Sequence, residues 1–311
     1  MKKTYKFLRS FMLVVLAVLL FVAAFGVIAF SFMHDAYTHT LKMPHIITIA
    51  FYLMIVASLA CGIVMAVKSK NLQITRIRKN NPFLMLASAF SVIMALVLFV
   101  YEVAFLVQNE STKWYLFLRA TKWFLVIFVI VYFVIQAIPS TFKKRKISIP
   151  LALRAAASIG TVLWAVMGIL VVYFNNLNTT DILKVSMLLV YSSFAVFFVF
   201  EGSFELIKAR IVPYIISAIF SATLAFGFPF GVSVATIFGL YNSKLSYTEL
   251  LMCSAIGLYC TAKVVAYVLT VHRVIILSDT SSHSGKFDKK FENPTEQQDA
   301  ATEPSADSKN N

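Results

Sequence analysis

Eight stretches of this chain, roughly 10–33, 46–67, 83–107, 114–138, 151–174, 182–206, 213–241 and 249–276, are each longer than twenty residues and almost wholly apolar. About twenty residues, at about 1.5 Å rise each, cross a hydrocarbon layer about 30 Å thick. No water reaches the backbone there, so each run must satisfy its own N–H and C=O groups as a helix. Charged residues make up only 14 % of the chain, against about 25 % in a soluble domain. The reading is all-α: a polytopic integral membrane helix bundle of about eight transmembrane helices, residues 1–276. The first run follows MKKTYKFLRS, a signal-like start, yet it exceeds twenty residues and ends AFSFM without an A-x-A pattern. That predicts a retained helix.

Lysine and arginine set the orientation. With the N-terminus in the cytoplasm, the inner segments collect Lys2, Lys3, Lys6, Arg9, Lys68, Lys70, Arg76, Arg78, Lys79, Lys143, Lys144, Arg145, Lys146, Lys208 and Arg210, while the outer loops hold only Lys42, Lys113 and Lys244. The positive-inside rule then predicts an N-in, C-in chain in the plasma (cytoplasmic) membrane. The net charge of +14 needs no nucleic acid to explain it; its excess lies along one face, where it attracts anionic headgroups. Residues 277–311 are polar and read as a disordered cytoplasmic tail, with a protein-docking role as one use for it.

Motifs for catalysis are missing from the sequence. It has no phosphate-cradling glycine loop, no H-E-x-x-H helix and no readable nucleophile–histidine–acid set, so neither an enzyme nor a bound cofactor is expected. His34, His39 and His45 beside Asp35 are metal-ligand types, but their spacing matches no compact site. Cys61, Cys253 and Cys260 fall inside spans without a paired motif and read as small apolar fillers.

Helix packing in lipid relies partly on small residues at four-residue spacing, found here as Ser58/Gly62 and Ala156/Gly160. Pro82, Pro150 and Pro213 mark helix starts. Spans three and seven open alike (PFLMLASAFS, PYIISAIFSA), and spans four and eight carry ATK and TAK. That pattern suggests a parallel duplication of a four-helix unit, as in some transporters. Span seven contains AFGFPFGV, so a kink or short unwound turn is expected at Gly227, Pro229 and Gly231. Broken helices often line a transporter's binding site; a bend in a long tilted helix is the alternative.

Intramembrane charges cost at least about 2.5–3.5 kcal/mol each at the bilayer centre. Glu102 and Arg119 each lie about 7–8 Å beneath the outer interface and suit a pair across one hairpin, with Lys122 a turn deeper and able to share the carboxylate. Arg154, Glu201 and Glu205 form a second matched set on the inner side. Lys263 stands near the middle of span eight, about 15 Å from either headgroup layer. It must pair with Glu102, line a hydrated cavity or lose its proton, and Tyr259 is one turn away.

CTAKVVAYVL in span eight resembles the retinal-binding lysine helix of microbial rhodopsins, and RATKWF resembles their third helix, with Arg119 and Trp123. The resemblance implies a retinal Schiff base on Lys263. The chain departs from the pattern where acidic counterions are implied, having Tyr259 and Lys122 there, and span seven lacks a polyene-clamping tryptophan. Without that resemblance, eight spans, a broken helix and a midplane lysine point to a transporter or channel-like protein for a small polar or anionic solute. A sensor or accessory subunit with purely structural charges is the alternative.

Overall fold

The computed structural model describes residues 2–35, 40–43, 45–70, 81–108, 113–138, 141–142, 145–146, 149–175, 181–206, 211–241, 243 and 245–291. Helices α1 (Lys2–Phe32), α2 (Ile46–Ser69), α3 (Pro82–Gln108), α4 (Lys113–Ala137), α5 (Leu151–Tyr173) and α6 (Ile182–Leu206) form the first six spans. The seventh is α7 (Ile211–Ala225), a π-helical turn (Phe226–Phe230) and α8 (Gly231–Ile237); the eighth begins α9 (Tyr247–Phe291). Eight helical segments are long and apolar enough to cross a membrane, so the protein is a multi-pass helical bundle. Two short antiparallel hairpins, β1–β2 (His34–Asp35, Thr40–Leu41) and β3–β4 (Thr141–Phe142, Arg145–Lys146), occupy loops at opposite ends.

The helix ends follow from local chemistry. Asn81 Oδ1 accepts from the Phe83 N–H, leaving Pro82 as the first helical residue. Asp181 Oδ1 accepts from Leu183 N–H to start α6. At the end of α8, Gly239 takes φ +68°, with Leu240 N–H on Ala235 O and Gly239 N–H on Thr236 O. This is a Schellman stop that a residue with a Cβ resists. The last span has no comparable stop: no proline occurs between 247 and 293, and the α9 backbone continues to Phe291, past the 276/277 boundary read from composition. Residues 292–311, and the inner-loop cations Arg76, Arg78, Lys79, Lys143, Lys144, Lys208 and Arg210, lie outside the described residues.

Packing order runs as a closed ring. Helix α3 packs on α4, α4 on α5, α5 on α6, α6 on α7, α7 on α9, and α9 returns to α3. The α1–α2 hairpin stands outside it, α2 against α7 and α1 against the π turn and α8. The apolar segment of α9 is 83 % buried and that of α1 22 %, which makes α9 the innermost helix and α1 the most lipid-facing. The ring therefore takes α3 and α4 from the first four spans and all of the last four.

Small residues set the closest approaches. A Cβ on Gly26 would stand 2.4 Å from Gly227 O, and one on Gly231 would stand 2.8 Å from the Gly26 carbonyl carbon, so α1 lies backbone to backbone on the π turn. Ser58 reaches Thr223 (2.6 Å) and Gly62 faces Ile219, joining α2 to α7. In α5, Gly160 faces Phe128 of α4, but Ala156 is exposed; Ala157 is the buried partner in that turn, and the four-residue pair read from sequence does not form one interface. At the β1–β2 end Tyr241 packs against the His34 ring (4.6 Å between centroids) and Phe30. Burial there holds its phenol well above the ordinary tyrosine range, and Asp181 adds to the effect.

Candidate functional site

Three helices that do not neighbour one another in the ring meet across its interior. Between α4 and α9 the polar contacts are Lys122 with Glu249, Tyr132 with Tyr259 and Gln136 with Lys263, each separated by 127 residues. Between α6 and α9 they are Tyr191 with Glu249 and Glu201 with Tyr259, each separated by 58. A constant offset means the three helices run parallel in one register. The pattern is also visible along each chain segment: Lys122, Val126, Val129, Phe133 and Gln136 on α4, and Glu249, Cys253, Ile256, Cys260 and Lys263 on α9, are all buried. Both stripes step by four then three residues, a 3.5-residue period that keeps one seam facing inward over several turns.

At the β1–β2 end the Lys122 ammonium donates to Glu249 Oε1 (2.6 Å) and to the Tyr191 hydroxyl (2.9 Å), and Tyr191 donates to the same carboxylate (2.5 Å). The ammonium also lies over the Tyr191 ring, 4.7 Å from its centroid. Gly168 makes room for that ring, since a Cβ there would stand 2.4 Å from it. One turn away on α4, Arg119 grips Glu102 through Nε (2.6 Å) and Nη2 (3.0 Å), with its guanidinium stacked on Phe105. Such a two-point grip is the strong form of this ion pair. The structure thus joins Glu102 to Arg119 but gives Lys122 a different acid. Three residues along a helix separate the two cations by about 60° around its axis, so Arg119 faces α3 while Lys122 faces the interior.

At the opposite, N-terminal end, Lys263 forms an ion pair with Glu201 and donates to Gln136 Oε1 (3.1 Å). Tyr259 donates to Glu201 Oε1 (3.3 Å) and shares a hydrogen bond with Tyr132 (3.1 Å). Tyr214 of α7 and Cys260 face the same carboxylate. Lys263 therefore pairs with Glu201, not Glu102, and its amine does not stay at the midplane. It points to Gln136, the residue before the end of α4, and to Glu201, five residues before the end of α6. The constant offset already sets the Lys263 backbone level with Gln136, near the end of the bundle, and the stem reaches back one turn to the level of Tyr259 and Glu201. Arg154 is half-buried, its Nε without a hydrogen bond among the described residues, and Glu201 is not its partner. The Glu205 side chain lies outside the described residues.

Between the two ends, fourteen residues or about 21 Å apart along α9, the interior is aromatic. Tyr259 meets Phe133 and Phe197 edge-on at 5.0 and 6.2 Å, and Tyr132 meets Phe198 at 5.5 Å. The π turn is elsewhere. It neither unwinds nor joins Lys263: Pro229 is buried within a continuous helix, whose wider turn absorbs the missing N–H. Gly227 and Gly231 face α1, outside the ring.

Glu249, Tyr191, Gln136, Tyr132 and Tyr214 escaped the sequence reading. Glu249 is the first residue of the predicted span 249–276; the signal that could have found it is the 3.5-residue stripe ending on Lys263. The Lys263 amine, where the resemblance implies a Schiff base, is held by Glu201 and Gln136, with the Tyr259 ring 5.3 Å away and further aromatic rings packed on that tyrosine. Among the described residues no group of three or more histidines, cysteines or acids is placed to hold a metal. Comparison with protein families, with curated proteins and with solved structures gives no match for the chain.

Proposed function

We propose that the protein is a membrane transport protein, without an enzymatic step, that carries a small polar or anionic solute through the six-helix ring. The observation behind this reading is that a buried Lys–Glu–Tyr cluster closes each end of one interior: Lys122, Glu249 and Tyr191 at one, Lys263, Glu201 and Tyr259 at the other. Ionisable groups within a bilayer are costly and mark solute or ion pathways. Removing one partner from a buried ion pair costs about 3–5 kcal/mol. Opening both ends together breaks two pairs and opening one end breaks one, so the arrangement favours one open end at a time. That is the requirement for a carrier rather than a pore.

In this reading the N-terminal end, where Lys6, Arg9, Lys68 and Lys70 gather, is cytoplasmic in the plasma membrane and rests on anionic headgroups. The test is uptake into proteoliposomes from a panel of labelled sugars, amino acids and small anions. Lys263→Ala protein that inserts normally should lose the uptake of the wild type, and equal rates would count against the proposal. A second reading, a sensor or accessory subunit, is favoured by one observation: Glu102, Arg119, Lys122, Glu249, Glu201 and Lys263 are all paired with one another. A stable partner copurifying through the C-terminal tail, with no solute moved, would select it.

A further inference from the structure

The Glu201 carboxylate sits where a carboxylate ligand would be held: against the Lys263 ammonium and the Tyr259 hydroxyl, with Tyr214 beside it and Gln136 steadying the lysine. Taking the transport reading as its basis, we infer that the protein is a proton-coupled carrier of small monocarboxylates, with Glu201 as the proton site and Lys263 as the anion site. The inference follows from charge. Lys263 and Glu201 sum to zero, and Phe133 and Phe197 pack edge-on against Tyr259 beside them. An anion arriving alone would leave a net negative charge in apolar surroundings. A proton on Glu201 removes it.

The step balances without a further reagent. One Glu201 oxygen takes a proton from water, an O–H bond forms, and the ionic contact to Lys263 is released. The incoming carboxylate then accepts N–H from Lys263 and O–H from Tyr259. On the other side the proton returns to water, and Glu201 displaces the solute as it regains the lysine. One ammonium selects a singly charged ligand, and the aromatic walls suit a small apolar body. At the other end Lys122 and Glu249 also sum to zero, and Arg119, one turn away, is neutralised by Glu102.

Among the described residues, the groups facing Glu201 come from three packed helices; Glu205, one turn along α6, has its side chain outside them. Lys263, Tyr259 and Cys260 come from α9, Tyr214 from α7, and Tyr132 and Gln136 from α4 through their bonds to Tyr259 and Lys263. On α5, Ser158 faces Gly202 and the nearest charge is Arg154, one turn away. The π turn contributes no titratable residue.

The experiment uses the full chain in proteoliposomes with radiolabelled pyruvate, which stays ionised and leaks little. A lumen one pH unit more alkaline than the bath should drive about tenfold accumulation, as one-to-one symport requires, unchanged by an imposed membrane voltage. A trapped pH dye should report acidification when pyruvate is added. Glu201→Gln, a permanent mimic of the protonated acid, should still exchange pyruvate but no longer accumulate it. Accumulation that follows voltage and ignores the pH gradient would overturn the proton link and leave transport standing. Movement of chloride or phosphate in place of pyruvate would overturn the carboxylate class, also leaving transport standing. If none of the labelled solutes moves, both readings fail. The wild-type gradient dependence decides the matter even if the glutamine variant does not fold.

Discussion

Lys122 and Glu249, separated by 127 residues, are joined by a 2.6 Å ion pair at the same offset that joins Gln136 to Lys263. One rigid register between α4 and α9 therefore fixes the polar contacts at both ends of the ring. A slip of either helix by one residue turns its stripe about 100° away from the interior, so these contacts also define which faces of α4 and α9 point inward.

The first prediction concerns that pair. Lys122→Met leaves the Glu249 charge buried beside Tyr191 alone, and Glu249→Leu strands the ammonium. Each single change should destabilise the protein by about 3–5 kcal/mol, whereas the double variant should recover most of the loss. Denaturation of the four proteins in detergent gives the coupling energy. Additive losses would mean that the two side chains are not a pair in the membrane.

The N-terminal cluster makes an asymmetric prediction about two tyrosines that share one hydrogen bond. Tyr259→Phe removes the donor to Glu201 as well as the bond to Tyr132, while Tyr132→Phe leaves Tyr259 free to keep donating to the acid. Both retain their rings and packing. Tyr259→Phe should be the more damaging, by about 1 kcal/mol or somewhat more because the acceptor is charged. Equal melting temperatures for the two would show that Glu201 does not depend on that hydroxyl.

Much of this is legible in the amino-acid sequence. Hydrophobic length alone delimits the spans, because nothing but a helix satisfies its backbone in lipid. The Glu102–Arg119 contact is readable because both residues sit on one hairpin at matched depth. Lys263 is different. Its acid comes from α6, and only the closing of the ring brings α6 within reach of α9, so linear depth offered Glu102 instead. Depth also misled for Lys263 itself, since the register sets its backbone level with Gln136, the residue before the end of α4, and not at the middle of the bundle. The π turn at Pro229 was legible as an irregularity, but not its neighbour: which helix would lie on it depended on Gly26, an unremarkable glycine in an apolar run.

Orientation has its own test. If the basic end is cytoplasmic, Lys42→Cys, between β2 and α2, should react in intact cells with a membrane-impermeant maleimide. Lys68→Cys, at the end of α2, should react only after permeabilisation. The native Cys253 and Cys260 are buried and should contribute little background. The reverse labelling pattern would invert the topology and put the Glu201 cluster at the outer face.

The last prediction isolates the α1 contact. Gly26 lets the α1 backbone touch the π turn, and any Cβ there meets the Gly227 carbonyl oxygen at 2.4 Å, a backbone atom that cannot rotate aside. Gly26→Ala should therefore force α1 outward and cost about 1–3 kcal/mol, as overpacking does. Gly239→Ala should act differently: nothing lies within 4 Å of its Cβ position, so its penalty comes from the left-handed backbone at φ +68° alone and should be about 1 kcal/mol. The two are separable by measuring proximity as well as melting temperature. A spin-label pair on α1 and α8 should widen in Gly26→Ala and stay unchanged in Gly239→Ala. If Gly26→Ala melts like the wild type with the distance unaltered, α1 does not rest on the π turn, and its place outside the ring would have to come from α2 alone.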